Sequence, residues 1–146
     1  MTRALISDID GVISDSWGRR HHIRKSPPDW DAFFDDCAGD PTLPLAALLA
    51  VLEDWHILLV TSRPERNRDL TQEWLMRHNV AYDALYMRPT DGAHLSWKLD
   101  TIRDLCDRYP VEFIFEDDPA IIGPLRQLRL PVVPIFSGYY RWEVRE

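Results

Sequence analysis

Short runs of apolar, β-prone residues alternate along the chain with stretches whose apolar positions recur at helical spacing. That alternation predicts an α/β fold with a parallel sheet of about five strands flanked by helices. The β-prone runs cover residues 4–7, 56–60, 84–87, 111–115 and 131–135. Prolines at 131 and 134 place the last run at a sheet edge, since proline cannot donate to a ladder. Helices are expected over residues 43–52, 65–78 and 95–108, the last with Leu95, Leu99, Ile102 and Leu105 on one face. Pro119 suits the first position of a further helix running to about residue 128. Residues 12–41 break the alternation, carrying charge, aromatic residues and Pro27-Pro28 between the first strand and its helix. An insertion of that length in a compact domain is expected to serve as a flap over the sheet edge where the strands end.

The chain of 146 residues is the length of one domain. Its 45% apolar and 28% charged residues are globular in composition. A formal charge of −7 argues against a general nucleic-acid coat, which needs a positive field over its whole face. Cys37 and Cys106 are too few for a disulfide framework and lack CxxC spacing. The apolar run at residues 45–52 is too short to span a membrane, and the first residues hold no signal-peptide pattern. A soluble, single-domain cytoplasmic protein is expected.

Polar residues gather where the strands end. Asp8 and Asp10 follow the first, Thr61, Ser62 and Arg63 the second, and Glu116, Asp117 and Asp118 the fourth. Parallel α/β sheets bind ligands at that edge, so three distant segments should meet there. Such an acidic, oxygen-rich cluster suits a hard cation such as Mg²⁺.

Asp8-Ile9-Asp10-Gly11-Val12-Ile13 after an apolar strand resembles the first motif of the haloacid-dehalogenase (HAD) phosphatase superfamily. Thr61 or Ser62, then Lys98 at a helix start, then Glu116-Asp117-Asp118 are similar to its other three motifs, in order. The resemblance implies a Rossmann-like HAD fold with a short flap or small cap after the first strand. It implies Asp8 as nucleophile and metal ligand, forming an aspartyl-phosphate. Asp10 would protonate the leaving oxygen and then activate water, its backbone carbonyl also on the metal. Thr61 or Ser62 would bond the transferring phosphoryl group, and Lys98 with Mg²⁺ would neutralise it. Asp118 is the first choice for the remaining metal ligand and Asp117 the second. The second aspartate of the motif, Asp10, favours a phosphatase over transferases and enzymes that attack carbon.

A narrower resemblance, to the 3′-phosphatase domain of bacteriophage-type polynucleotide kinase, rests on further segments. These are Ser62-Arg63-Pro64, Met87-Arg88-Pro89 leading through Asp91 to Lys98, Phe115-Glu116-Asp117-Asp118, and Ile135-Phe136-Ser137-Gly138. It implies that Arg19 or Arg20, Arg63, Arg88 and Asp91 assist the substrate phosphate, and that the partner is a DNA or RNA 3′ end. The chain departs from that family at Gly92-Ala93-His94-Leu95-Ser96-Trp97 and at Pro119, which bears on specificity more than on catalysis. No GxxxxGK[ST] loop occurs, so activity should be hydrolytic and not ATP-dependent.

Residues 17–25 hold Arg19, Arg20, Arg24 and Lys25 with no acid, a basic flap on an acidic body, although such runs are often plain solvated surface. His21 and His22 invite a zinc reading, but the sequence offers no second ligand pair at suitable spacing. A lone lysine is usually a surface residue and an Asp-x-Asp-Gly a turn; only their order lifts them above that. Two alternatives stand beside the leading reading: a phosphatase of small metabolites or nucleotides, and a non-catalytic HAD-like binding module.

Overall fold

A computed structural model describes residues 2–89 and 94–140. Among them, five strands form one all-parallel sheet: β1 (Arg3–Ser7), β2 (Trp55–Pro64), β3 (Ala84–Arg88), β4 (Val111–Glu116) and β5 (Val132–Pro134). Their order is β3-β2-β1-β4-β5, so the chain starts in the middle of the sheet and winds outward to each side. That order puts the ends of β1, β2 and β4 side by side, at the point where the winding reverses.

The central strands read as unbroken apolar runs because both their faces are covered. Leu5, Ile57 and Leu59 face one side with Leu49, Trp74 and Leu75. Ile6, Leu58 and Val60 face the other with Ile102, Leu105, Ile114, Ile121 and Leu125. The register pairs Leu5 with Ile57 and Ile6 with Leu58, so the two sets alternate in step across the strands. The helices that supply the outer layers are α3 (Pro44–Val51) and α4 (Arg68–Arg77) on the first side, and α5 (His94–Arg108) and α6 (Pro119–Gln127) on the second. Pro44 and Pro119 both start helices, where the missing N–H leaves no bond unmade.

Two sequence expectations shift. β2 does not end at Val60 but continues to Pro64, because β3 still offers pairing partners at Met87 and Arg88. Leu95 stays exposed while Ile102 and Leu105 are buried, since the first turn of α5 stands at the sheet edge and only later turns lie on the sheet. The insertion is, as expected, a small cap. It contains a 3₁₀ turn (Ser16–Arg19), the short helices α1 (His21–Arg24) and α2 (Trp30–Asp35), and a second 3₁₀ turn (Cys37–Gly39). Phe33, Phe34 and Cys37 are its buried anchors. The edge placement of the proline-flanked strand holds: β5 is three residues long and pairs on one side, with β4. Among the described residues, no helix is long and apolar enough to cross a membrane.

Candidate active site

The chain leaves β1 through a tight turn that fixes Asp8 and Asp10. Ile9 O accepts from the amides of Val12, Ile13 and Ser14, and fully buried Ile9 and Ile13 pin the turn to the core. Gly11 sits at φ +78°, a conformation a β-carbon disfavours. A β-carbon there would also run into the Asp117 carboxylate, so the glycine lets Asp117 close on the turn.

Asp8, itself buried, lines a cleft of about 230 Å³. Its Oδ1 accepts from the amide of Ile9 at 2.7 Å, and Oδ2 faces Lys98 Nζ at 3.1 Å. Lys98, on α5, is itself buried and also meets Glu116 Oε2 at 2.9 Å. The other oxygen of Glu116 accepts from the amides of Asp117 and Asp118, both at 3.1 Å, which turns the chain sharply off β4. Asp8, Glu116 and Asp117 each present a carboxylate oxygen within 4.8 Å of the others. Burial pushes the Asp8 carboxyl well above its ordinary range, with Glu116 adding repulsion that Lys98 only partly offsets. Burial and Glu116 likewise push Asp117 up to about 7. Burial disfavours charge on Lys98 too, yet its two carboxylate neighbours overcome this and hold it protonated. Three buried carboxylates around one ammonium leave unbalanced negative charge, and an all-oxygen donor set of this kind fits a hard divalent cation.

Asp10 lies beside this cluster in a separate clamp. Arg19 Nη2 donates to its Oδ1 at 2.6 Å and Arg63 Nη2 at 2.7 Å. Burial works against ionising Asp10, but the Arg63 and Arg19 guanidiniums prevail and hold its carboxyl well below the usual carboxylate range. Both arginines are held from behind. Asp40 receives Arg19 through Nε at 2.8 Å and Nη2 at 2.6 Å, and accepts from Ser14 Oγ at 2.6 Å. Arg63 Nη1 reaches Thr71 Oγ1 on α4 at 3.2 Å. Trp74 Nε1, also on α4, donates to Asp40 O at 2.8 Å.

The remaining sequence-derived residues are distributed as follows. Thr61 and Ser62 both line the cleft. Thr61 Oγ1 accepts from the amide of Arg63 at 3.1 Å, whereas Ser62 Oγ is buried without a hydrogen-bond partner among the described residues. Asp118 also lines the cleft but spends Oδ1 capping α6 through the amide of Ala120, and it stands outside the cluster that Asp117 joins. The guanidiniums of Arg19 and Arg63 contact Asp10 and bury their side chains to within 3% of full cover. Arg20 instead folds over the Trp17 ring at 4.1 Å and donates to Trp17 O. Arg88 Nε donates to Ser62 O at 3.0 Å. Asp91 lies outside the described residues.

Sequence reasoning missed Asp40, Ser14 and the double role of Glu116. Asp40 sits in a stretch of turn residues, and no periodicity distinguishes it; Glu116 was visible only as one of three acids in a row. It also missed that Asp36 stands with His21 and His22, their ligand atoms within 4.8 Å, in an exposed group where His22 Nε2 meets Asp36 Oδ2 at 2.9 Å.

Residues 2–140 match the family described as the polynucleotide kinase PNKP phosphatase domain. Among curated proteins none matches the chain. Two solved structures of the Pnkp1/Rnl/Hen1 complex, one described as an RNA repair complex, contain chains with TM-scores of 0.76 and 0.74, each at 24% identity over 92% of this chain. This chain spans 42% and 46% of those chains, less than half of either. A hydrolase of the haloacid dehalogenase-like family from Streptococcus pneumoniae has a TM-score of 0.61 at 12% identity, covering 92% of this chain and 84% of that one. At these identities the likeness is one of fold.

Proposed function

Because the chain belongs to the polynucleotide kinase PNKP phosphatase domain family, we propose that it is a Mg²⁺-dependent phosphomonoesterase. It removes the 3′-phosphate from DNA or RNA ends through an aspartyl-phosphate on Asp8. The observation that carries this reading is the position of Asp8, a buried carboxylate lining a cleft, braced by Lys98 at 3.1 Å with Asp10 clamped beside it.

Asp8 attacks phosphorus; its oxygen–phosphorus bond forms as the bond to the 3′ oxygen breaks. Lys98 offsets the repulsion between carboxylate and phosphate, and a hydroxyl of Thr61 donates to the transferring oxygens, with Ser62 as the second candidate. Asp10 gives a proton to the departing 3′ oxygen and takes one from water in the second step, when water displaces Asp8 from phosphorus. The clamp holds Asp10 as the carboxylate, the form the second step needs. A phosphate dianion nearby counters the two guanidiniums and lets Asp10 carry a proton for the first. In this reading Arg19 and Arg63 position Asp10. Asp8 and Asp117, with the backbone carbonyl of Asp10, would hold Mg²⁺; Asp118, engaged in its cap, ranks behind Asp117. When bound, the ion supplies positive charge to the phosphoryl group.

The preference for a polymer end draws on the family, on the basic cap surface of Arg20, Arg24 and Lys25, and on the RNA repair assembly in which a chain of this fold occurs. A panel of 3′-phosphorylated DNA and RNA oligonucleotides, nucleoside 3′-monophosphates, sugar phosphates and an aryl phosphate tests it, with Asp8→Asn as control. Highest kcat/KM on an oligonucleotide 3′-phosphate, lost in Asp8→Asn, is the expected result. Preference for a sugar phosphate or free nucleotide would assign a metabolite phosphatase, and no hydrolysis of any substrate a binding module.

A further inference from the structure

We propose that the catalytic cleft continues into a subsite for the nucleobase of the terminal nucleotide, formed by Trp30, Phe34, Arg88 and His94. The inference rests on the reading of the site as a 3′-phosphatase. A second concavity of about 350 Å³ is lined by those four residues, and three of them, Trp30, Phe34 and His94, also line the cleft that holds Asp8. The two spaces therefore share a wall. One ligand can therefore place its phosphate in the first and a neighbouring group in the second.

The lining suits a planar aromatic ring on an anionic chain. Trp30 is 51% exposed, although Phe33 and Phe34 in the same helix are buried. Its ring is fixed by an edge contact to Phe33 at 5.6 Å and a tilted one to Phe34 at 6.1 Å. The face is thus rigid before any ligand arrives, which lowers the entropy lost on stacking. Arg88 brings a guanidinium 6.0 Å from the Phe34 ring, held there through Ser62 O. Among the described residues no carboxylate lines this concavity, although the chain carries a net charge of −7. Trp17, the other exposed tryptophan of the cap, is not equivalent, because Arg20 lies over it at 4.1 Å and Tyr139 at 5.5 Å. The platform is also mechanically tied to the chemistry. Arg19 donates to Phe33 O at 2.6 Å with one nitrogen and to Asp10 at 2.6 Å with another. Aromatic stacking reads any base, so the subsite should favour a base over none without choosing strongly among the four.

The test compares two oligonucleotide 3′-phosphates, identical except that the terminal residue of one is abasic. Wild-type protein should hydrolyse the base-bearing substrate with kcat/KM higher by roughly five- to 150-fold, the range expected from one stacked base. Trp30→Ala should bring that ratio close to one, while Trp30→Phe should retain most of it. Thermal denaturation, measured alongside, confirms that each variant is folded. A wild-type ratio of one, or an unchanged ratio in Trp30→Ala, overturns the subsite and leaves the 3′-phosphatase reading standing. Hydrolysis of the aryl phosphate but of neither oligonucleotide overturns both.

Discussion

Asp40→Asn tests whether the clamp on Asp10 is set from behind. Asp40 does not line the cleft, yet it binds Arg19 through two parallel bonds of 2.8 and 2.6 Å and holds Ser14 as well. Asparagine keeps one carbonyl oxygen for this network and turns an amide NH₂ toward the other donors. One charge-assisted bond is lost, worth about 1.5–3 kcal/mol. The larger penalty of about 3–5 kcal/mol for a fully unpaired buried charge is not reached, because Arg19 still has Asp10. A loss of ~2–3 kcal/mol leaves a domain of ordinary stability folded. At ~2–4 °C per kcal/mol for a chain of this size, Tm should fall by ~4–12 °C. With Arg19 loosened, Asp10 drifts, and kcat on an aryl phosphate should fall roughly 10- to 100-fold, the scale of a misplacement near 1 Å. KM should change little, since no contact to substrate is removed. Thermal denaturation and steady-state kinetics on the purified variant read both effects. Wild-type kcat in a variant with lowered Tm would mean that Asp40 serves the fold alone, and the argument that Arg19 acts through Asp10 would fail.

Gly11→Ala should lose activity and at least ~1 kcal/mol of stability, from positive φ and from the β-carbon pressing on Asp117; a denaturant titration with an activity assay measures both. Asp117→Asn should raise the Mg²⁺ concentration for half-maximal activity more than Asp118→Asn does, because Asp117 stands with Asp8 and Glu116; the opposite ranking would return the metal to Asp118. EDTA should abolish turnover and Mg²⁺ restore it, whereas Ca²⁺, with its longer and looser coordination, should substitute poorly. Neutralising Arg20 and Arg24 together should cost more on an oligonucleotide 3′-phosphate than on an aryl phosphate, and the gap should close as salt is added. An equal loss on both substrates at all salt concentrations would refute a role in gripping the polymer.

Much of the architecture was legible in the sequence because parallel strands covered on both faces leave short apolar runs. The candidate site was legible because its carboxylates sit directly after such runs. The basic flap misled in one respect. Arg19 reads as one of four exposed cations, yet its guanidinium is buried between Asp10 and Asp40. Charge counting along a segment cannot see a partner 21 residues away, and Asp40 carries no motif of its own. The rival choices at Thr61 and Ser62 arose because the sequence does not reveal where β2 stops. The strand runs on to Pro64, so both hydroxyls sit within it, at the cleft. Leu95 was assigned to an apolar face that the sheet does not extend far enough to cover.

The strand order also has a consequence for how the molecule is made. β1 is synthesised first but lies third in the sheet, between β2 and β4, and both of those neighbours emerge from the ribosome later. Until residue 116 is translated, the nascent chain carries Asp8 and Asp10 on a strand with one edge unpaired, and Lys98 has only one of its two carboxylates. Parallel pairing of distant segments is slow, since the intervening loop must close before any ladder bond forms. An exposed apolar strand edge is meanwhile open to association with other chains. Variants that weaken the β1–β4 pairing, such as Ile114→Ala, should therefore reduce soluble yield during synthesis by more than their equilibrium stability predicts. Comparing in-cell yield with the refolded protein's denaturation midpoint would detect that excess.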